Sequence, residues 1–192
     1  MLEVRRKEPY LILGALGLGG FLSVEKSLEI LVKASESGLT DIDCAISYGN
    51  GKAREIIGDF HKSGGIRFNI WEKIGLEMVE LSPKVQKVRT RFSNPKSVRS
   101  DLNRILENYQ VEKLYNLQLH SPLLDLSRKT FLQSLKLEQK KGTFGYLGVS
   151  NHETSELIKL NRDCESANIK ISSNQVHFNI AEQRAKNDII AH

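Results

Sequence analysis

No run of about 18 apolar residues occurs in the 192-residue chain, so no membrane-spanning helix is expected. The first ten residues, MLEVRRKEPY, lack the apolar core of a secretory signal. Two cysteines, Cys44 and Cys164, are too few for a disulfide framework, and a reducing cytoplasm is the expected compartment. No basic patch is interleaved with aromatics, so no nucleic-acid partner is expected. His61, His152, His177 and His192 do not fall at metal-ligand spacing, so no metal is expected either. What is present is ordinary for a globular protein: 40% apolar and 27% charged residues, with a net charge of +5. That modest excess reads as a solvated surface with mild attraction for phosphate-bearing ligands. The length suits one domain spanning residues 1–192.

The strongest regularity is an alternation of strand-like and helix-like runs. The strand-like runs are residues 10–13, 39–43, 68–73, 114–120, 144–150 and 174–178. Between them, residues 23–38 carry Val24, Leu28, Leu31 and Val32 at helical spacing and stop at Gly38. Residues 94–109 start with Asn94 as N-cap and Pro95 at the first helical position, and Val98, Leu102, Ile105 and Leu106 line one face. Residues 126–142 end in a lysine-rich turn and Gly142. Residues 153–167 and 181–192 read as two more helices, and residues 76–96 as an extended surface loop. GALGLGG lacks the order of a dinucleotide loop and reads as the tight exit from the first strand.

An unbroken β-α series implies a parallel sheet, either open and doubly wound or closed as a (β/α)8 barrel. In LYNLQLH, Tyr115, Leu117 and Leu119 share one face, and Asn116, Gln118 and His120 the other. A doubly wound sheet wants both faces apolar, so a polar face favours the barrel. Only six βα units are present, against eight in a closed barrel.

Barrel sites lie at the C-terminal strand ends. Those ends supply Asp43 and Tyr48, then Lys73, then His120, then Ser150 and Asn151, with Gln175 on the sixth strand. Taken singly each has a plain reading: Asp43 a turn residue, Tyr48 a packed ring, Lys73 a surface cation, His120 a half-buried imidazole. Together they make a proton-transfer site. A tyrosine hydroxyl titrates near ~10, a nearby ammonium would lower that value, a carboxylate would hold the ammonium, and a histidine would bond a substrate oxygen. Such a group could polarise and protonate a carbonyl without a metal. Cys44 reads as packing, and Trp71, which shares parity with Lys73, as barrel core.

The segments ILGALGLGG, GLTDIDCAISYGNG, IWEKIG, LQLHSP, KGTFGYLGVSNH and NQVHFNI, in this order, resemble the aldo-keto reductase superfamily over nearly the whole chain. The resemblance implies a (β/α)8 barrel that uses NADPH, or NADH, without a Rossmann fold. It implies catalytic roles for Asp43, Tyr48, Lys73 and His120, with Asp43 anchoring Lys73 and Tyr48 as general acid. It implies that Ser150, Asn151 and Gln175 hold the nicotinamide carboxamide, and that the substrate is a small-molecule aldehyde or ketone. It also implies two further βα units beyond His192, carrying a stacking aromatic and the 2′-phosphate loop. An open six-unit sheet would expose two long hydrophobic edges. Two alternatives stand beside the reductase: an inactive truncated fragment, and a reductase-like partner-binding module. The substrate, the choice of NADPH or NADH, and the oligomeric state are not fixed by these residues.

Overall fold

The computed structural model describes residues 11–82, 85–90, 95–122 and 128–187. Strand β1 (Leu13–Gly14) precedes helix α1 (Val24–Glu36), and β2 (Asp41–Ala45) precedes α2 (Lys52–Lys62). After β3 (Asn69–Ile74) come a hairpin, β4 (Leu76–Ser82) and β5 (Val85–Thr90), and then α3 (Pro95–Tyr109). The series continues with β6 (Leu114–Leu119), α4 (Arg128–Lys140), β7 (Phe144–Ser150), α5 (Thr154–Ser166), β8 (Ile171–Gln175) and α6 (Arg184–Asn187). Six strands form one parallel sheet in the order β1-β2-β3-β6-β7-β8. The expected α/β architecture of successive βα units is therefore present, as six units of a barrel-type sheet.

The pleat sorts the strand side chains by parity. Ile42, Cys44, Ile70, Leu117, Leu119, Leu147 and Val149 join the helix-facing core. They meet Leu31 of α1, Ile57 and Phe60 of α2, Leu102 of α3, Leu132 of α4 and Leu160 of α5. The other parity is polar: Asp41, Asp43, Lys73, Asn116, Gln118 and Ser150, all buried. Asn116 Nδ2 donates to Ser173 Oγ at 3.0 Å, joining β6 to β8 across that inner side. Tyr115 leaves the Leu117–Leu119 cluster. It sits at the start of β6 between two other rings, 5.4 Å from Trp71 and 5.3 Å from Tyr146.

Helix α1 starts at Ser23, whose hydroxyl accepts from Lys26 N, and the chain leaves it through Gly38 at φ 77°, a left-handed conformation that suits glycine. Its buried stripe differs from the expected one. Ser27, Leu31 and Ala34 are buried, while Val24 and Val32 are exposed. Ser27 can replace an apolar residue because its hydroxyl is satisfied: it donates to Ser23 O and accepts from Gly19 N.

Three other expectations change. Leu76–Ser82 and Val85–Thr90 pair antiparallel, β4 on β5, rather than forming a loop; residues 83–84 and 91–94 of the expected loop lie outside the described residues. The sixth strand of the sheet is 171–175, three residues upstream of its expected place. Its last residue, Gln175, accepts from Asn151 N at the corner of β7. The sheet edges are neither long nor hydrophobic: β1 has two residues, and β8 reads Ile-Ser-Ser-Asn-Gln. Asn94 and residues 126–127 and 188–192 of the expected helices lie outside the described residues. Among the described residues no helix is long and apolar enough to cross a membrane, and no cluster of ligating side chains could hold a metal ion.

Candidate active site

Registry on the inner side of the sheet assembles the site. β2 and β3 pair with Asp43 opposite Trp71 and Ala45 opposite Lys73. Asp43 and Lys73 therefore lie two positions apart along the same side of two adjacent strands, within reach of each other. Lys73 Nζ donates to Asp43 Oδ1, and both residues are buried. After β2 the chain turns through a short 3-10 segment, Tyr48–Gly51. Gly49 has φ 55°, and a Cβ there would meet Leu18 O at 2.5 Å. Only glycine lets the turn close onto the exit of β1, and this closure brings Tyr48 over the ion pair. Lys73 Nζ lies 3.2 Å from Tyr48 Oη, and Tyr48 Oη donates to Asp43 Oδ2 at 3.4 Å.

The surroundings set the protonation states. Burial, then the Asp43 carboxylate, holds the Tyr48 phenol well above its ordinary value. The sequence led to the opposite expectation, a hydroxyl made more acidic by Lys73. Burial outweighs the ammonium, and Asp43, on the same ion pair, offsets its charge. His120 follows β6, its backbone N bonded to Ile74 O at 2.8 Å. Burial, then the Lys73 ammonium, pushes its imidazole down to about 4, with Asp43 opposing. It is thus neutral at neutral pH, and it lies close enough to the ion pair to feel both charges.

The second group stands at the ends of β7 and β8. Ser150 is buried at the end of β7, Asn151 turns the corner at φ 52°, and Gln175 ends β8. Asn151 Oδ1 accepts from His177 N at 2.9 Å, and its Nδ2 lies 3.4 Å from Ser150 Oγ. Asn174 brackets His152, donating to its carbonyl at 2.9 Å and accepting from its N–H at 3.4 Å. The sequence did not single out Asn174, because a strand asparagine carries no signal of its backbone partners. Along the rim Gln118 Oε1, His120 Nδ1, Ser121 Oγ and Gln175 Oε1 are buried without a hydrogen-bond partner among the described residues. Buried polar atoms are normally paired, so this row suits a polar ligand.

A second buried ionic group lies behind the first, on the helix side. Glu72 accepts from Arg54 Nη2 of α2 and from the hydroxyl of Tyr109, at the end of α3. Burial opposes the charge on Arg54, but Glu72 outweighs it and holds the guanidinium above its ordinary value. Cys44, opposite Glu72 in the register, has its thiol pushed up to about 12 by burial and then by Glu72, which makes it inert packing. Trp71 is buried on the inner side, its Nε1 donating to Asp41 Oδ1 at 3.0 Å. Thr40 and Asn69 also donate to Asp41.

A parallel α/β sheet with a lysine–carboxylate pair, a phenol and an imidazole gathered at its C-terminal rim defines a barrel-type α/β protein. The Aldo/keto reductase family matches residues 10–192, and the chain belongs to that family. It is 26% identical over 164 residues to human aflatoxin B1 aldehyde reductase member 4, covering 85% of this chain and 47% of that protein. It is 28% identical over 174 residues to an uncharacterized oxidoreductase of Mycobacterium tuberculosis, covering 91% and 49%. Among solved structures, a glycerol dehydrogenase from Gluconobacter oxydans superposes with a TM-score of 0.81 at 23% identity, over 94% of this chain and 54% of that one. A thermostable aldo-keto reductase crystallised with the inhibitor epalrestat gives 0.74 at 24% identity, over 96% and 64%. At these identities the two structures establish the fold. The chain spans about half the length of the curated relatives it matches.

Proposed function

We propose that the chain carries the catalytic half of an NADPH-dependent carbonyl reductase, which reduces a small-molecule aldehyde or ketone to an alcohol. The contact of Tyr48 with the buried Asp43–Lys73 pair carries this reading. Tyr48 keeps its proton at neutral pH and is the general acid that delivers it to the carbonyl oxygen. Lys73 stands 3.2 Å from that hydroxyl and stabilises the phenolate left behind. Asp43 holds Lys73 in place. Neutral His120 donates a hydrogen bond to the same substrate oxygen and so orients the carbonyl. Ser150, Asn151 and Gln175 hold the carboxamide of the nicotinamide, with Gln175 Oε1 as acceptor. When bound, the reduced nicotinamide supplies the hydride.

The test is aldehyde-dependent NADPH oxidation by the chain and by Tyr48→Phe. The variant is expected to lose about 10²–10⁴-fold in kcat while binding NADPH as tightly as the parent. Turnover that survives in Tyr48→Phe would remove Tyr48 from the role of acid.

A further inference from the structure

Glu72 and Lys73 are neighbours on β3 and face opposite ways. Lys73 enters the rim and pairs with Asp43, while Glu72 faces the helices and pairs with Arg54 and Tyr109. Arg54, Glu72 and Tyr109 are 3%, 0% and 0% exposed. A buried ion pair of this kind is often no more stabilising than apolar residues of the same volume, so stability alone does not account for it. Its placement does. Arg54 lies in the first turn of α2, directly after the Tyr48–Gly51 turn. Glu72 is bonded through the chain to Lys73 and sits opposite Cys44, the residue after Asp43. The segment that holds Tyr48 and the strand that holds Lys73 are therefore joined twice, once on each side of the sheet.

We propose that Arg54, Glu72 and Tyr109 form a positioning lock that sets the separation between Tyr48 and Lys73. The pair ties the start of α2 to β3, and the Tyr109 hydroxyl fixes the second carboxylate oxygen so that Glu72 cannot rotate away. The kinetic side of this inference rests on the reductase reading, and the geometric side does not.

The test uses the full chain and the double variant Arg54→Met/Glu72→Met, which removes both charges and keeps the volume filled. Its thermal melt is expected to stay cooperative. In its crystal structure the Tyr48 Oη to Lys73 Nζ separation is expected to open beyond about 4 Å, past hydrogen-bonding range. Its kcat is expected to fall about a hundredfold, the cost a misplacement near 1 Å can carry, with KM for NADPH within about twofold of the parent. A packing role would lower the melting temperature and leave kcat and the separation alone. A folded double variant with parental separation overturns the lock. Should that variant not fold, Tyr109→Phe decides, since it removes one hydrogen bond and keeps the ring. It is expected to lose about fivefold in kcat with KM for NADPH unchanged, and parental kcat there overturns the lock. A parent chain without turnover defeats the reductase reading, and the separation measured in the variants still decides the lock.

Discussion

The imidazole of His120 gives the protein a pH dependence whose sign follows from its burial. In the unfolded chain it takes a proton near ~6.5, and in the folded chain only at about 4. Between these values the unfolded state binds more protons, so stability falls as pH falls through that window and is complete above it. His61 acts in the same direction. Burial lowers its affinity for a proton, and its ring is held neutral with Nδ1 on Tyr109 O and Nε2 accepting from Phe68 N. Urea midpoints at about pH 7 and about pH 5 are expected to drop with acidification, and to drop less in His120→Asn. An equal drop in the variant would remove His120 as a source of the slope. At this scale the sequence is informative about identity and silent about state. Asp43, Tyr48, Lys73 and His120 stand out because each falls at a strand end, and the structure brings the first three into contact and His120 within their field. The proton affinity of Tyr48 runs against the expectation from spacing, since burial and the shared carboxylate depend on packing that no spacing encodes. Arg54 and Glu72, 18 positions apart, give no signal of belonging together.

Among the elements, the helices are legible because capping chemistry is local. Ser23 before α1, Gly38 after it and Pro95 opening α3 each act through their own backbone. The hairpin is not, because Leu76 and Met78 share one parity and Val79 and Leu81 the other, so no face stands out as buried. Charges along both strands and Pro83 between them then argue for surface. β8 is displaced from its expected place for a related reason. Val176 and Phe178 look like strand residues, but the middle of the strand is Ser172, Ser173 and Asn174, with Ser172 at a shift in the ladder. Their side chains find partners across the sheet and in the loop after β7, on Leu147 O, Asn116 and His152. Helix packing offers a sharp test at Gly58 of α2, where a Cβ would lie 1.9 Å from Asn108 O, a backbone atom of α3. Gly58→Ala is expected to push α2 and α3 apart at a cost of about 1–3 kcal/mol, read as a lower urea midpoint. A parental midpoint would mean that the two helices separate freely.

For the whole molecule, polar and apolar residues alternate strand after strand, so one side of the sheet packs under helices and the other is a rim lined with hydrogen-bonding groups. That division is legible in the five residues NLQLH, 116–120, because a period of two can be read directly from the order of side chains. Ligand binding tests whether the rim is complete enough to hold a nicotinamide. NADPH at about a hundred times its Kd is expected to stabilise the fold by about 2.7 kcal/mol, a rise of about 5–10 °C in Tm for a domain of this size. An unchanged melt at millimolar NADPH would show that these six units alone do not grip it.

The order Glu72-Lys73 also bears on how the sheet assembles. A slip of β3 by one residue against β2 would exchange the two side chains between faces. Glu72 would then meet Asp43 on the inner side, and Lys73 would meet Arg54 under α2. Both would be encounters of like charge, removed from water, in the place of two ion pairs. The strand thus proofreads its own alignment: the native register satisfies four charges at once, and the nearest wrong one satisfies none.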